Sequence, residues 1–118
     1  MDFVVASRRL KEEFMSDHAA AVKKYAPDAD DKVIAAIVRH LGIALHNRDS
    51  SFVACTDADE RKTVRESWCK KKLGLSDDAK LDAAILDVCQ TMKADRDKSR
   101  VAFYYLLAAK FEKLSALA

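Results

Sequence analysis

The sequence predicts an all-α fold, a compact bundle of five to six helices with the C-terminal helix at its centre. Glycine and proline, which mark hairpins and active-site loops, number only two and one in 118 residues. Hydrophobic residues make up 50% of the chain and charged residues 34%, a composition that favours short-looped amphipathic helices. We expect a helical extension over residues 1–15, followed by a single all-helical domain over residues 16–118 that is long enough to bury one core.

The chain before Pro27 is expected to form two short helices. Ser16 is a suitable N-cap for the second of them, which extends to Lys24. Pro27 then breaks the helix, because proline disfavours helical backbone in the residue before it. The first helix needs a surface on which to bury its apolar side, and a second copy of the chain is a natural one. Within residues 1–14 that side carries three large residues: Phe3, Leu10 and Phe14.

A strongly amphipathic helix is predicted over about Asp30–His46. Gly42 lies outside its apolar arc and marks either a kink or the close approach of another backbone. After a polar connector, Phe52, Val53 and Cys55 are expected to return to the core. At about 100° per residue, one arc of this helix contains seven apolar residues: Val33, Ile34, Ile37, Val38, Leu41, Ala44 and Leu45.

A third helix is predicted between Thr56 and Lys72. Thr56 and the acidic residues that follow it resemble a capping signal for the start of this helix. Gly74 is well placed at the position after the C-cap, where a left-handed backbone conformation is common. We expect Leu75 to make the hydrophobic contact that accompanies this helix ending.

The last two helices are expected over Asp77–Lys93, with Ser76 as its N-cap, and over about Lys98–Leu117. The apolar residues of the last helix cover about 200° of its circumference. A helix that is apolar this far around packs on more than one side. We therefore place it at the centre of the bundle, with one edge available for a dimer interface.

Basic residues are concentrated in one stretch of a nearly neutral chain. The net charge is +2, from 21 basic and 19 acidic residues, which does not suggest a dedicated nucleic-acid-binding protein. Residues 61–75, however, carry a local charge of +5. On an α-helix Arg61, Arg65 and Lys72 fall within about 40° of one another, and this stripe would suit an anion. Trp68 lies beside it and either stacks on a base or belongs to the core, in which case the cations are a solvated flank.

The three cysteines have no paired spacing, which suits a reducing cytoplasm better than a disulfide framework. Cys69 is the candidate reactive thiol, because neighbouring cations lower the pKa of a thiol. Cys55 lies in an apolar stretch and Cys89 in the inner arc of its helix, so both are expected to be small core residues. The chain is thus predicted to be cytoplasmic.

No motif in the sequence indicates catalytic residues, a cofactor or a metal site. His18, His40 and His46 lack the spacing of metal ligands, and the acidic clusters lack the glycine and terminal glutamate of a calcium loop. The longest apolar run, Val101–Ala109, is far shorter than the roughly 20 residues of a membrane span. Charges interrupt residues 1–14, so we expect neither a membrane span nor a targeting peptide.

Four stretches of the chain carry a family resemblance: HAAAVKKYAPDAD (His18–Asp30), VRHLGIAL (Val38–Leu45), CKKKLGL (Cys69–Leu75) and DKSRVAFYYLLAAKFEKL (Asp97–Leu114). They resemble a bacterial family of short proteins known as domain of unknown function 2853. The resemblance implies a compact all-helical bacterial domain, and it supplies no activity, catalytic residue or binding residue. Residues 1–14 depart from the family pattern, which begins near Met15.

Three functional hypotheses follow from these observations. The first is a non-enzymatic interaction or regulatory module that forms a homodimer, with no protein partner identified. The alternative is nucleic-acid or anion binding through Arg61, Arg65 and Lys72 beside Trp68, and the near-neutral net charge weighs against nucleic acid. The third is a redox or small-molecule enzyme that uses Cys69.

Overall fold

The computed structural model describes residues 16–47 and 49–117, so the predictions for residues 1–14 lie outside it. Its first half contains helix α1 over residues 16–25, helix α2 (Asp31–Leu41), a 3₁₀ turn (Gly42–His46) and strand β1 (Phe52–Val53). Its second half contains α3 (Ala58–Thr63), a π-helix (Val64–Lys72), α4 (Asp78–Thr91), β2 (Lys98–Ser99), α5 (Arg100–Lys110) and α6 (Leu114–Leu117). The predicted all-α class is confirmed, with one two-residue antiparallel strand pair added to it.

Aspartates cap the starts of three helices. The side chains of Asp30, Asp57 and Asp77 accept hydrogen bonds from backbone N–H groups in the first turns of α2, α3 and α4. The sequence analysis placed two of these caps one residue early, at Thr56 and Ser76. A carboxylate in the N-cap position also interacts favourably with the positive end of the helix dipole, which favours the aspartate over its hydroxyl-bearing neighbour.

Gly42 ends α2, so the predicted continuous helix to His46 is wrong. Its φ is +51°, and its N–H donates to the carbonyl of Val38. A Cβ built on Gly42 would meet nothing within 4 Å. The glycine therefore marks a kink of this chain, not the close approach of another backbone, and the chain continues as the 3₁₀ turn.

The third predicted helix changes its hydrogen-bonding pattern halfway. From Val64 to Lys72 the backbone forms a π-helix, in which bonds span five residues and each turn holds more residues than in an α-helix. At its end Gly74 has a φ of +73°, and the N–H of Leu75 donates to the carbonyl of Cys69 at 3.0 Å. Leu75 is half-buried against the core, so the predicted glycine ending is confirmed.

Helix α5 lies at the centre of the bundle, as predicted. It contacts α2, α4, α6, the π-helix and both strands. Its buried residues surround it on nearly all sides: Arg100, Val101, Ala102, Phe103, Tyr104, Tyr105, Leu107 and Ala108. The predicted extension to Leu117 is wrong, because Glu112 adopts a φ of +57° and the N–H of Lys113 turns back to the carbonyl of Ala108 at 2.8 Å.

Arg100 joins α5 to the connector over residues 47–57 and to α3. The residue is 7% exposed, and its Nε and Nη2 donate to the carbonyls of Ser50 at 2.6 Å and Phe52 at 3.0 Å. Nη1 donates to the hydroxyl of Tyr104 at 3.2 Å, and Nη2 also pairs with the carboxylate of Glu60. A buried guanidinium is stable here because its donors are matched by carbonyls, a hydroxyl and a counter-charge.

Candidate functional site

In the basic stretch over residues 61–75, Arg65 and Lys70 are paired with carboxylates, most of which come from α4. Arg65 pairs with Glu66 at 2.9 Å and with Asp82 at 3.0 Å, and these hydrogen bonds raise the pKa of Arg65. Lys70 pairs with Asp78 at 2.6 Å and with Glu66 at 3.0 Å. The local charge of +5 therefore overstates the positive potential of this surface.

The predicted stripe of three cations does not form as a stripe. The Nη1 of Arg61 donates to the carbonyl of Cys55 at 2.6 Å, and Arg65 turns towards α4. Lys72 lies on the side of α2, where its charge lowers the pKa of His40. The predicted alignment assumed α-helical periodicity, and in a π-helix the seven steps from Arg65 to Lys72 no longer complete two turns.

Trp68 is a core residue, which corrects the proposed stacking role. Its indole is 0% exposed, and its Nε1 donates to the carbonyl of Tyr104 at 3.1 Å. The ring stacks on that of Tyr104 at a centroid distance of 4.6 Å and contacts His40 at 5.2 Å. An enclosed indole with a satisfied N–H cannot stack on an incoming base.

Cys69 is also enclosed, which corrects its assignment as a reactive thiol. The residue is 0% exposed, and burial raises the pKa of its thiol to about 11, with a smaller contribution from the carboxylate of Asp82. The thiolate is the nucleophilic form, so this cysteine is unreactive at neutral pH. Of the cations that suggested a low pKa, Arg65 is paired with Glu66 and Asp82.

Cys55 and Cys89 form a disulfide, which corrects the prediction of unpaired cysteines. Their Cα atoms are 5.9 Å apart, and 34 positions separate them along the chain. Both are half-buried against the core, as the sequence analysis expected of small core residues. The cytoplasmic location was predicted from unpaired cysteines and stays a prediction without that support.

The three histidines lie in different environments. His40 packs on Trp68, and desolvation followed by the charge of Lys72 lowers its pKa. His18 lies on α1, and His46 ends the 3₁₀ turn. Among the described residues, no three histidine, cysteine or acidic side chains come together in an arrangement that could hold a metal ion.

A cleft of about 260 Å³ opens beside the start of α1. Desolvation lowers the pKa of His18 at its edge, and the carboxylate of Asp17 partly opposes this shift. The cleft is lined by both polar and apolar residues: Asp17, His18, Ala21, Leu45, Ser51, Phe52 and Ser99.

Two large hydrophobic residues are exposed on the described surface. Ile43 is 87% exposed on the 3₁₀ turn, and Leu86 is 54% exposed on α4. The sequence analysis did not single out Ile43. It does contain the signal, because Ile43 is the one large aliphatic residue over Asp30–His46 that falls outside the apolar arc. Within the described helices, none is long and apolar enough to cross a membrane.

Comparison with known proteins identifies a family and no activity. Residues 17–115 match the family described as "Protein of unknown function (DUF2853)", in agreement with the resemblance seen in the sequence. A search of curated proteins found no match.

Proposed function

The chain belongs to the family of proteins of unknown function DUF2853, and we propose that it is a non-enzymatic interaction module that associates with a second copy of itself. The exposed side chain of Ile43 is the observation that carries this proposal. The N-terminal segment, residues 1–15, supplies the complementary apolar groups.

Ile43 is held out in solvent by the backbone around it. Gly42 turns the chain at the end of α2, and the buried side chain of Leu45 anchors the other end of the 3₁₀ turn. A short turn fixed on both sides presents its exposed residue at a low cost in conformational entropy. A single exposed aliphatic residue is common on monomers, so the proposal also needs a partner surface.

The N-terminal segment provides that partner surface. It carries Phe3, Leu10 and Phe14 and leads directly into α1, whose first turns line the cleft beside Leu45. The 3₁₀ turn and the start of α1 therefore line the same cleft. In a two-fold dimer, the segment of each copy would cover the turn and cleft of the other, burying both apolar sets.

The last helix does not contribute to this interface. Its wide apolar arc is taken up by contacts inside the bundle, and the partly buried Leu106 and Phe111 also pack against the core. We therefore place the proposed dimer interface at the 3₁₀ turn and the N-terminal segment, not at an edge of the last helix.

Light scattering coupled to size exclusion tests the proposal. We expect the full chain to be a dimer, and both a chain starting at Met15 and Ile43→Asp to be monomers. Leu86→Asp is the matched control, because it places the same charge on an exposed leucine of α4, and it should remain dimeric. A monomeric full chain, or a dimer that survives both changes, would contradict the proposal.

Anion binding at the surface of Arg61, Arg65 and Lys72 is a second candidate, favoured by the exposed Lys72. Lys72 is exposed, whereas Arg61 and Arg65 would have to leave their present partners. The measured quantity is the slope of the logarithm of the oligonucleotide-binding constant against the logarithm of salt concentration. We expect Lys72→Ala to lower this slope by about the contribution of one phosphate contact, and Arg65→Ala to lower it less. Fluorescence anisotropy over a salt series measures both, and binding unchanged in Lys72→Ala would exclude this candidate.

A further inference from the structure

We propose that the redox state of the Cys55–Cys89 disulfide controls whether α3 stays attached to the bundle. In the oxidised chain the disulfide holds residues 54–63 on the bundle, and its reduction by a dithiol lets that segment open locally while the core stays folded. This proposal is independent of self-association and concerns a different surface.

Helix α3 has no hydrophobic anchor of its own. It is six residues long, and none of its side chains is buried. An isolated helix of that length does not form in water, so contacts with the rest of the chain must hold it. Its attachment depends on the π-helix that continues it and on the contacts near its start.

Three contacts hold the start of α3. The carboxylate of Glu60 pairs with Arg100, and the Nη1 of Arg61 donates to the carbonyl of Cys55 at 2.6 Å. The third contact is the disulfide, which ties Cys55 to α4 only two residues before the N-cap Asp57. Two of the three contacts thus involve Cys55, so the position of this one residue governs the start of the helix.

The two ends of the disulfide differ in how firmly they are held. Cys89 lies within α4, between the buried residues Val88 and Met92 of the core. Cys55 lies in the connector, in a turn with no regular secondary structure. When the bond is broken, Cys89 therefore stays in place and Cys55 becomes free to move.

The two bonded cysteines are less buried than the third cysteine. Both bonded cysteines are half-buried, while Cys69 is fully enclosed. A thiolate of the dithiol attacks the sulfur of Cys89, and the sulfur of Cys55 leaves as a thiolate and takes up a proton. The second thiol of the reductant then closes its own disulfide and releases Cys89 as a thiol. Two electrons and two protons pass from the dithiol to the protein.

Opening also releases Arg61. Its Nη1 donates to the backbone carbonyl of Cys55 at 2.6 Å, so this contact depends on the position of Cys55. As the connector moves, Arg61 loses its bond to the carbonyl of Cys55. The reduced chain then presents a mobile segment with an additional free cation.

Hydrogen exchange with mass spectrometry on the full chain tests whether the disulfide controls the attachment of α3. We expect amides over residues 58–63 to exchange at least about tenfold faster after treatment with dithiothreitol, and those of α5 to keep their rates. Equal exchange over residues 58–63 in the two states would overturn the proposal. Alkylation of all three cysteines without prior reduction would also overturn it.

Two variants separate the disulfide from other effects of the reductant. Cys55→Ser/Cys89→Ser should show fast exchange over residues 58–63 with and without dithiothreitol. Cys69→Ala is the matched control and should respond to the reductant as the native chain does. If the double variant does not fold, the comparison of the oxidised and reduced native chain decides the question.

Discussion

Helices α5 and α3 are held in the same bundle by different forces. Residues on nearly all sides of α5 are buried, whereas α3 buries none of its side chains. Hydrophobic burial is non-directional and tolerates small movements, so α5 stays in place as long as the core exists. Near its start, helix α3 depends on an ion pair, one hydrogen bond and a disulfide, and at its end on the π-helix that continues it. Burial on many sides thus holds α5, whereas each polar or covalent contact at the start of α3 can be lost by a change at one residue.

A substitution in the buried part of α5 should cause the greatest loss of stability. Phe103→Ala should lower the free energy of unfolding by about 4 kcal/mol, because it leaves a cavity where a fully buried ring was packed. Urea denaturation followed by circular dichroism measures the change. Leu86→Ala, at an exposed leucine, is the control and should lower it by well under half as much. Equal effects of the two substitutions would show that α5 is not the centre of the core.

A smaller effect is expected at the residue that joins the two helices. Arg100→Met should cost about 3 kcal/mol, because it leaves the partly buried carboxylate of Glu60 without a counter-charge. It also removes the donors that hold the carbonyls of Ser50 and Phe52. Adding Glu60→Gln to Arg100→Met should recover part of the loss in the same denaturation experiment. No recovery would mean that the ion pair is not what holds α3.

The smallest effect concerns the pH dependence of stability. Desolvation lowers the pKa of His40 from its usual 6.5, and the charge of the neighbouring Lys72 adds to this shift. As the pH falls through 6.5, the unfolded chain takes up a proton that the folded chain takes up only at lower pH. The free energy of unfolding therefore decreases on acidification within this window.

The substitution His40→Gln should reduce that decrease. His18 has a pKa lowered by burial and should keep its own contribution, so part of the dependence remains. Urea midpoints at pH 7.5 and pH 5.5 measure both chains. This range lies above the carboxylates Glu66, Asp78 and Asp95, whose pKa values are lowered, so their titration does not interfere. The same pH dependence in both chains would contradict the assignment to His40.

The local signals in the sequence were the most reliable ones. The position of Gly74 at a helix ending, the return of Val53 to the core and the central place of α5 were all predicted from residues close together in the chain. Helix propensity, capping and apolar periodicity act over a few residues, so they can be recognised from the sequence alone. The small errors at Thr56 and Ser76 are of the same local kind, since an aspartate follows each of them.

The candidate site was less predictable, because its electrostatics depend on residues far apart in the chain. The positive charge counted over residues 61–75 is partly offset by Asp78 and Asp82, which lie outside that window on a neighbouring helix. The alignment of Arg65 with Lys72 failed because no sequence pattern marked the change from α-helix to π-helix.

Composition and short-range pattern were thus sufficient for the all-α class, most helix positions and the main core residues of this protein. The packing of distant segments decided three other features. These are the disulfide between Cys55 and Cys89, the burial of Trp68 and Cys69, and the hydrogen bonds of Arg100. The physical reason is one of range. The preferences that form a helix are set by neighbours in the chain, whereas burial, charge pairing and disulfide formation depend on which helices come to lie side by side.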